Sequence, residues 1–151
     1  MTAMKTSIFK LWLTGILLAL LSTFSFNTNA EQKVAKGNWD IHYIAFNSTF
    51  LQPDIAKHYN IVRSKYNGVI NISVLNTDKQ NAAQRVHIKG RAKNLIGHDK
   101  AIKFKQVTEG KSIYYLAQIG FNDEETFKFE ITVTQGDRSE TFKFQEKFYA
   151  Q

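Results

Sequence analysis

Apolar and polar residues alternate with period two along most of the chain, the pattern of strands that bury one face. Trp39, Ile41 and Tyr43 are set against Asp40 and His42. Val86, Ile88, Gly90 and Ala92 are set against His87, Lys89, Arg91 and Lys93, and residues 101–107 read as one further strand. Residues 112–121 are apolar on both sides, with Ile113, Tyr115, Ala117 and Ile119 against Tyr114 and Leu116, which predicts a central strand. Phe127, Phe129, Ile131 and Val133 predict another strand, and Phe142, Phe144 and Phe148 the last. Continued alternation in that last run would bring Glu146 onto the apolar face, where an unpaired carboxylate is costly; a bulge or a sheet edge there would relieve it.

Two segments break the pattern. Residues 51–59 contain Pro53, the only proline, which suits the first turn of a short helix because its missing N–H would be unpaired there in any case. Asn67-Gly68, between residues 59–65 and 69–75, predicts a type I′ hairpin turn, since both residues tolerate positive φ. Residues 76–84 are polar and read as a loop, and Gly110 and Gly136 mark later turns. About eight short strands with one brief helical turn predict an all-β fold, an antiparallel immunoglobulin-like β-sandwich, with a small barrel as the alternative.

The first 30 residues have a different character. Lys5 and Lys10 precede the apolar run 11–21, which Phe24 and Phe26 extend towards Thr28-Asn29-Ala30. That order matches a secretory signal peptide cleaved after Ala30, and the unbroken apolar core is shorter than the ~20 residues a spanning helix needs. The expectation is therefore a leader, residues 1–30, followed by a single β-sandwich domain, residues 31–151. The exported chain would be periplasmic, with no transmembrane span once the leader is removed.

The chain has 20 Lys and Arg against 13 Asp and Glu and no cysteine, which removes disulfides, thiolate nucleophiles and Cys-based metal sites. The positive surplus sits in residues 85–111, with eight basic and two acidic residues. Alternation places Lys89, Arg91 and Lys93 on one side of a strand, and Lys103 and Lys105 opposite Ile102 on the next. If the two strands pair, five positive charges share a face suited to an anionic partner. A solvated face that discourages edge aggregation accounts for the same lysines.

Several stretches carry a resemblance. The run Tyr43, Ala45-Phe46-Asn47-Ser48-Thr49-Phe50-Leu51, Pro53, Ile55-Ala56, Tyr59, Ile61 and Arg63-Ser64 resembles the N-terminal signature of DUF4426, a domain of unknown function of secreted Gram-negative proteins. Asn71-Ile72-Ser73-Val74, Asn94-Leu95, Glu109-Gly110 with Ile113-Tyr114-Tyr115, and the closing Phe142 to Tyr149 are similar too. The resemblance implies a periplasmic sandwich-like domain and supplies no catalytic residue.

The chemistry must come from the residues themselves. Asp40, His42 and Ser48 supply acid, base and hydroxyl, but no glycine-rich elbow surrounds Ser48, and strand and turn roles account for all three. His42, His58, His87 and His98 lie on separate segments without metal-ligand spacing, and Asp123-Glu124-Glu125 lacks the spaced oxygens of a calcium loop. No cofactor or metal is expected. In residues 51–63, Ile55 and Ala56 would plug one end of the sandwich, or Phe50, Tyr59 and Arg63 would line a groove, with Arg63 as an anion contact. The expected function is a non-catalytic binding or protein-interaction module. The alternatives are a sheet-edge partner that pairs strands with another envelope protein, or a small hydrolase. Partners would be another envelope protein or an anionic envelope surface, not nucleic acid.

Overall fold

The computed structural model describes residues 31–151. The leader and its cleavage site lie outside the described residues. Ten antiparallel strands form two sheets that pack face to face, so the predicted sandwich is what the chain adopts.

The strands are β1 (Gln32–Lys36), β2 (Trp39–Asn47), β3 (Asn67–Asn76), β4 (Ala82–Ala83), β5 (His87–Asn94), β6 (Asp99–Ile102), β7 (Lys105–Glu109), β8 (Ser112–Gly120), β9 (Glu125–Gln135) and β10 (Arg138–Phe148). The first sheet runs β1-β2-β3-β8-β7, with β4 paired to β3, and the second runs β10-β9-β5-β6. One helix, α1 (Pro53–Tyr59), begins on Pro53 as the sequence predicts and ends on Asn60 in the left-handed conformation.

Inward residues of both sheets make one core. Trp39, Ile41, Ile70, Ile72 and Val74 of the first sheet face Phe127, Phe129, Ile131 and Val133 of the second. Seven rings run through it in a chain: Tyr43, Phe142, Phe144, Phe129, Phe127, Phe148 and Phe121. Consecutive centroids lie 4.6 to 6.4 Å apart, the range in which aromatic pairs attract beyond their buried area. At the end of the sandwich where β1 turns into β2, the Arg138 guanidinium lies 3.8 Å from the centre of the Trp39 ring and donates to the Lys36 carbonyl.

Two expectations are corrected, and the choice at Glu146 between a bulge and a sheet edge falls to the edge. Asn67-Gly68 is not a hairpin turn: it begins β3, and Gly68 pairs with Asn47 of β2 and Ile119 of β8. Glycine is required there by contact instead, because a Cβ would stand 2.6 Å from the Phe148 ring. Residues 101–107 are two strands in different sheets, since Phe104 leaves β6 to pack over Gly90, where a Cβ would lie 2.8 Å from its ring. Glu146 needs no bulge, because β10 pairs with β9 in unbroken register and sets Glu146 opposite Phe127. It is tolerated because β10 is a sheet edge, and burial raises its carboxyl pKa. The polar β1, which the sequence reading does not address, pairs with β2.

Replacing Gly68 with Ala should destabilise the domain by about 1–3 kcal/mol through overpacking. The cost should largely vanish in a Phe148→Ala background, a coupling that a turn glycine would not show; denaturant titration of both pairs checks it. For Glu146, the raised pKa means that the protonated form favours the folded state. Its contribution is present below the unfolded carboxyl value and is lost as pH rises through the folded one. Glu146→Gln should therefore melt above wild type at neutral pH, and the two midpoints should converge near pH ~4.

Candidate functional site

The outer face of the first sheet is apolar at one end. Phe46 on β2, Val69 on β3 and Leu116 on β8 point away from the main core, and α1 lies across them. Ala56 is buried in that contact with Ile61 and Val69, while Ile55 stands half-exposed. The helix thus covers a sheet face and does not plug the end of the sandwich. This second apolar layer is why β8 is apolar on both sides.

The cover is incomplete. Between α1 and the β7–β8 edge remains a groove of about 290 Å³, lined by Leu51, Ile55, Tyr59, Val107, Tyr114 and Leu116, with Asn71 and Glu109 as its polar members. Asn71 sits on β3 opposite Leu116, and its Oδ1 is buried without a hydrogen-bond partner among the described residues. The Tyr59 hydroxyl donates to the Glu109 carboxylate, which raises the tyrosine pKa and keeps the phenol protonated. The arrangement offers an apolar slot with one unused acceptor in its wall.

Of the three groove residues expected from sequence, only Tyr59 lines it. Arg63 donates from Nη2 to the Thr49 carbonyl at 3.1 Å, and Phe50 stands exposed on the short 3-10 turn Ser48–Phe50. These residues belong to a latch. Ser48 is fully buried, and its Oγ donates to the Ser64 carbonyl and accepts from the Ser64 N–H. Asn47 Nδ2 donates to the Tyr149 carbonyl, and Thr49 Oγ1 to that of Gln151, so the same turn holds the C-terminal residues. Asn71, Tyr114 and Leu116 carry no local signal as groove residues, because only the fold lays α1 beside their face of the sheet.

Asp40, His42 and Ser48 do not converge. Asp40 pairs with Lys33 at 2.9 Å, His42 lies 3.5 Å from Glu31, and Ser48 is held in the latch. The acidic triplet caps a turn: Asp123 accepts from the Ala150 N–H, Glu124 pairs with Lys147, and Glu125 accepts from Asn94 and Asn122. Burial pushes the Glu125 pKa up, but those hydrogen bonds outweigh it and the net shift is downward.

The expected basic face is divided by the change of sheet after β6. Lys89, Arg91 and Lys93 share the outer face of the second sheet, where β9 adds Lys128 and β10 adds Lys143. Asp99 binds Arg91 and Glu130 binds Lys143 on that face, and each partnership lowers the carboxylate pKa. Lys103 and Lys105 stand instead beside Asn60 and Ile61 where the chain crosses between sheets. The strands at the sheet edges, β1, β7, β10 and β6, all carry lysines, the residue that discourages edge pairing.

The fold and groove define a two-sheet antiparallel β-sandwich with a helix laid on one outer face. The chain belongs to the DUF4426 family, a domain of unknown function, whose model matches residues 33–151. It is similar to a DUF4426 family protein of Pseudomonas aeruginosa PAO1 of known crystal structure, at 36% identity and a TM-score of 0.71, over 80% of this chain and 96% of that one. It also shares its fold with FetP of uropathogenic Escherichia coli strain F11. A copper-bound variant of that protein aligns at 9% identity and a TM-score of 0.55, over 81% of this chain and 92% of that one. The as-isolated form, expressed in the E. coli periplasm, aligns at 8% and 0.56, over 83% and 99%. Among curated proteins, none matches. No helix among the described residues is long and apolar enough to cross a membrane, and no group of three metal-ligating side chains occurs among them.

Proposed function

We propose that the protein is an exported, non-catalytic binding module whose ligand seat is the groove beneath α1. The buried, unpartnered Asn71 Oδ1 carries this reading. A buried acceptor without a partner costs about 1–3 kcal/mol, and a ligand with an N–H or O–H donor and a small apolar body would satisfy the oxygen while filling the slot. The rest of the lining supports binding over catalysis. Its titratable pair, Tyr59 and Glu109, is spent on an internal hydrogen bond, and the buried Ser48 hydroxyl is engaged by backbone.

Replacing Asn71 with Leu removes the stranded acceptor. The variant should melt above wild type and lose its ligands, the trade expected of a site kept at some cost to stability. An NMR screen of small amide and alcohol fragments against labelled protein tests this, with shifts expected at Asn71, Tyr114 and Leu116 in wild type and absent in Asn71→Leu. Fragments that shift other regions alone, or a less stable variant, would remove the groove from consideration.

Export rests on the charged, apolar and small-residue order of residues 1–30, and we place the mature protein in the periplasm. Intact mass of protein recovered from the periplasmic fraction should correspond to a chain beginning at Glu31.

A further inference from the structure

The exposed apolar side chains are not scattered. Of seven large ones among the described residues, six, Phe50, Val62, Tyr66, Leu95, Ile96 and Tyr149, lie at one end of the sandwich. The pairings place them there. Asn47 at the end of β2 stands opposite Gly68, and Gly68 opposite Ile119; in the second sheet Asn94 stands opposite Phe127 and Phe148 opposite Glu125. The bonds from Asn47 to the Tyr149 carbonyl and from Lys100 to the Gly120 carbonyl tie these two sheet ends together. All six residues sit on the turns and termini that leave this end. The most exposed are Leu95 and Ile96, at 69% and 78% exposure, in the tight turn between β5 and β6.

Charge at this end is sorted. Four of its acidic groups are already occupied: Asp99 by Arg91, Asp123 by the Glu124 and Ala150 N–H groups, Glu124 by Lys147, and Glu125 by Asn94 and Asn122. Arg63, Lys65, Lys93 and Lys128 have no acidic partner within salt-bridge distance among the described residues. Lys93 and Lys128 stand directly opposite each other on β5 and β9, a like-charge pairing that a sheet disfavours, and Asp99, the neighbour of Lys93 on β6, is engaged by Arg91. Lys65 lies over the Tyr66 ring and Lys147 over the Tyr149 ring, so aromatic bodies and ammonium heads alternate around the apolar tip.

We propose that this end docks on an anionic lipid bilayer, with Leu95 and Ile96 entering the headgroup layer and Arg63, Lys65, Lys93 and Lys128 contacting lipid phosphates. A bilayer is the occupant that fits. The apolar groups are carried by separate turns and termini, which a deformable headgroup layer can receive together. Tyrosines beside lysines are the mixture that settles at a membrane interface, where stems and rings lie in the apolar layer and the charged ends in water. Anionic headgroups also supply the countercharge that the unpaired cations lack, at roughly 1 kcal/mol per basic residue near the surface.

Residues 31–151 contain both sheets and the whole core, and so are the unit to test without the apolar leader. Co-sedimentation with vesicles of phosphatidylglycerol and phosphatidylcholine should recover the protein, pure phosphatidylcholine vesicles should not, and added salt should weaken the binding. The double change Leu95→Ser/Ile96→Ser should reduce binding at least about tenfold, because two apolar side chains no longer leave water, and Lys93→Gln/Lys128→Gln should reduce it comparably. Both variants should keep the wild-type melting midpoint, since these side chains are exposed. Equal binding to neutral vesicles, no binding at all, or undiminished binding by the Leu95/Ile96 variant would each overturn the proposal. Asn71→Leu should bind vesicles as wild type does, which separates this surface from the groove.

Discussion

The chain of seven aromatic rings between the sheets is the constraint on which the rest of the structure depends. It begins on β2 at Tyr43, crosses to β10 and β9, and returns through Phe148 to Phe121 just beyond β8. Interiors pack at crystal-like density, so a column of rings sets the distance between the sheets and dictates what can stand opposite it. Phe148 leaves no room for a Cβ on β3, and position 68 is glycine. Unbroken register along β10, needed to bring Phe142, Phe144 and Phe148 inward, carries Glu146 inward with them. A carboxylate at the rim of an apolar core is a by-product of keeping three aromatic residues in phase.

The two outer faces diverge because of what the connections bring to them. The segment from β2 to β3 folds back as a helix and covers the first sheet, turning its outer face into a second apolar layer with a slot left open. The outer face of the second sheet has no such cover, and it carries lysines and arginine interleaved with acids that neutralise part of them. The stretch Asn47-Ser48-Thr49-Phe50, within the run Tyr43 to Ser64 that carries the family resemblance, belongs to the junction: it fastens the turn to Ser64 and to the C-terminal residues. Its hydroxyls and amide are satisfied by backbone, which makes it a structural clasp beside the groove.

Ionic groups follow the same division. Where strands are paired and the geometry is fixed, opposite charges meet, as in Arg91 with Asp99 and Lys143 with Glu130. At the end bearing the long turns, acids are drawn into turn-capping hydrogen bonds and cations are left over. Carboxylates that accept from turn N–H groups share their charge with the backbone, which leaves cations such as Lys65 and Lys128 without an acidic partner at this end.

Alternation with period two determined the class of fold, the inward residues of β2, β5, β9 and β10, and the helix starting at Pro53, because each of these depends on neighbours in the chain. The two-sided apolarity of residues 112–121 likewise marked β8 as interior. Pairing could not be read in the same way. Asn67-Gly68 has the local chemistry of a tight turn, yet tertiary contact with Phe148, 80 positions away, makes it a strand. Residues 101–107 look continuous, but Phe104 finds its place over Gly90 and the chain changes sheet, which separates Lys105 from Lys89, Arg91 and Lys93. Tyr59 alone of the expected groove residues reached the groove, since its other walls come from β3, β7 and β8, brought beneath the helix only by strand order. The sequence by itself determined which residues want to leave water; the tertiary structure decided against what they are buried, because burial drives every apolar face inward with the same force and only shape and space choose its partner.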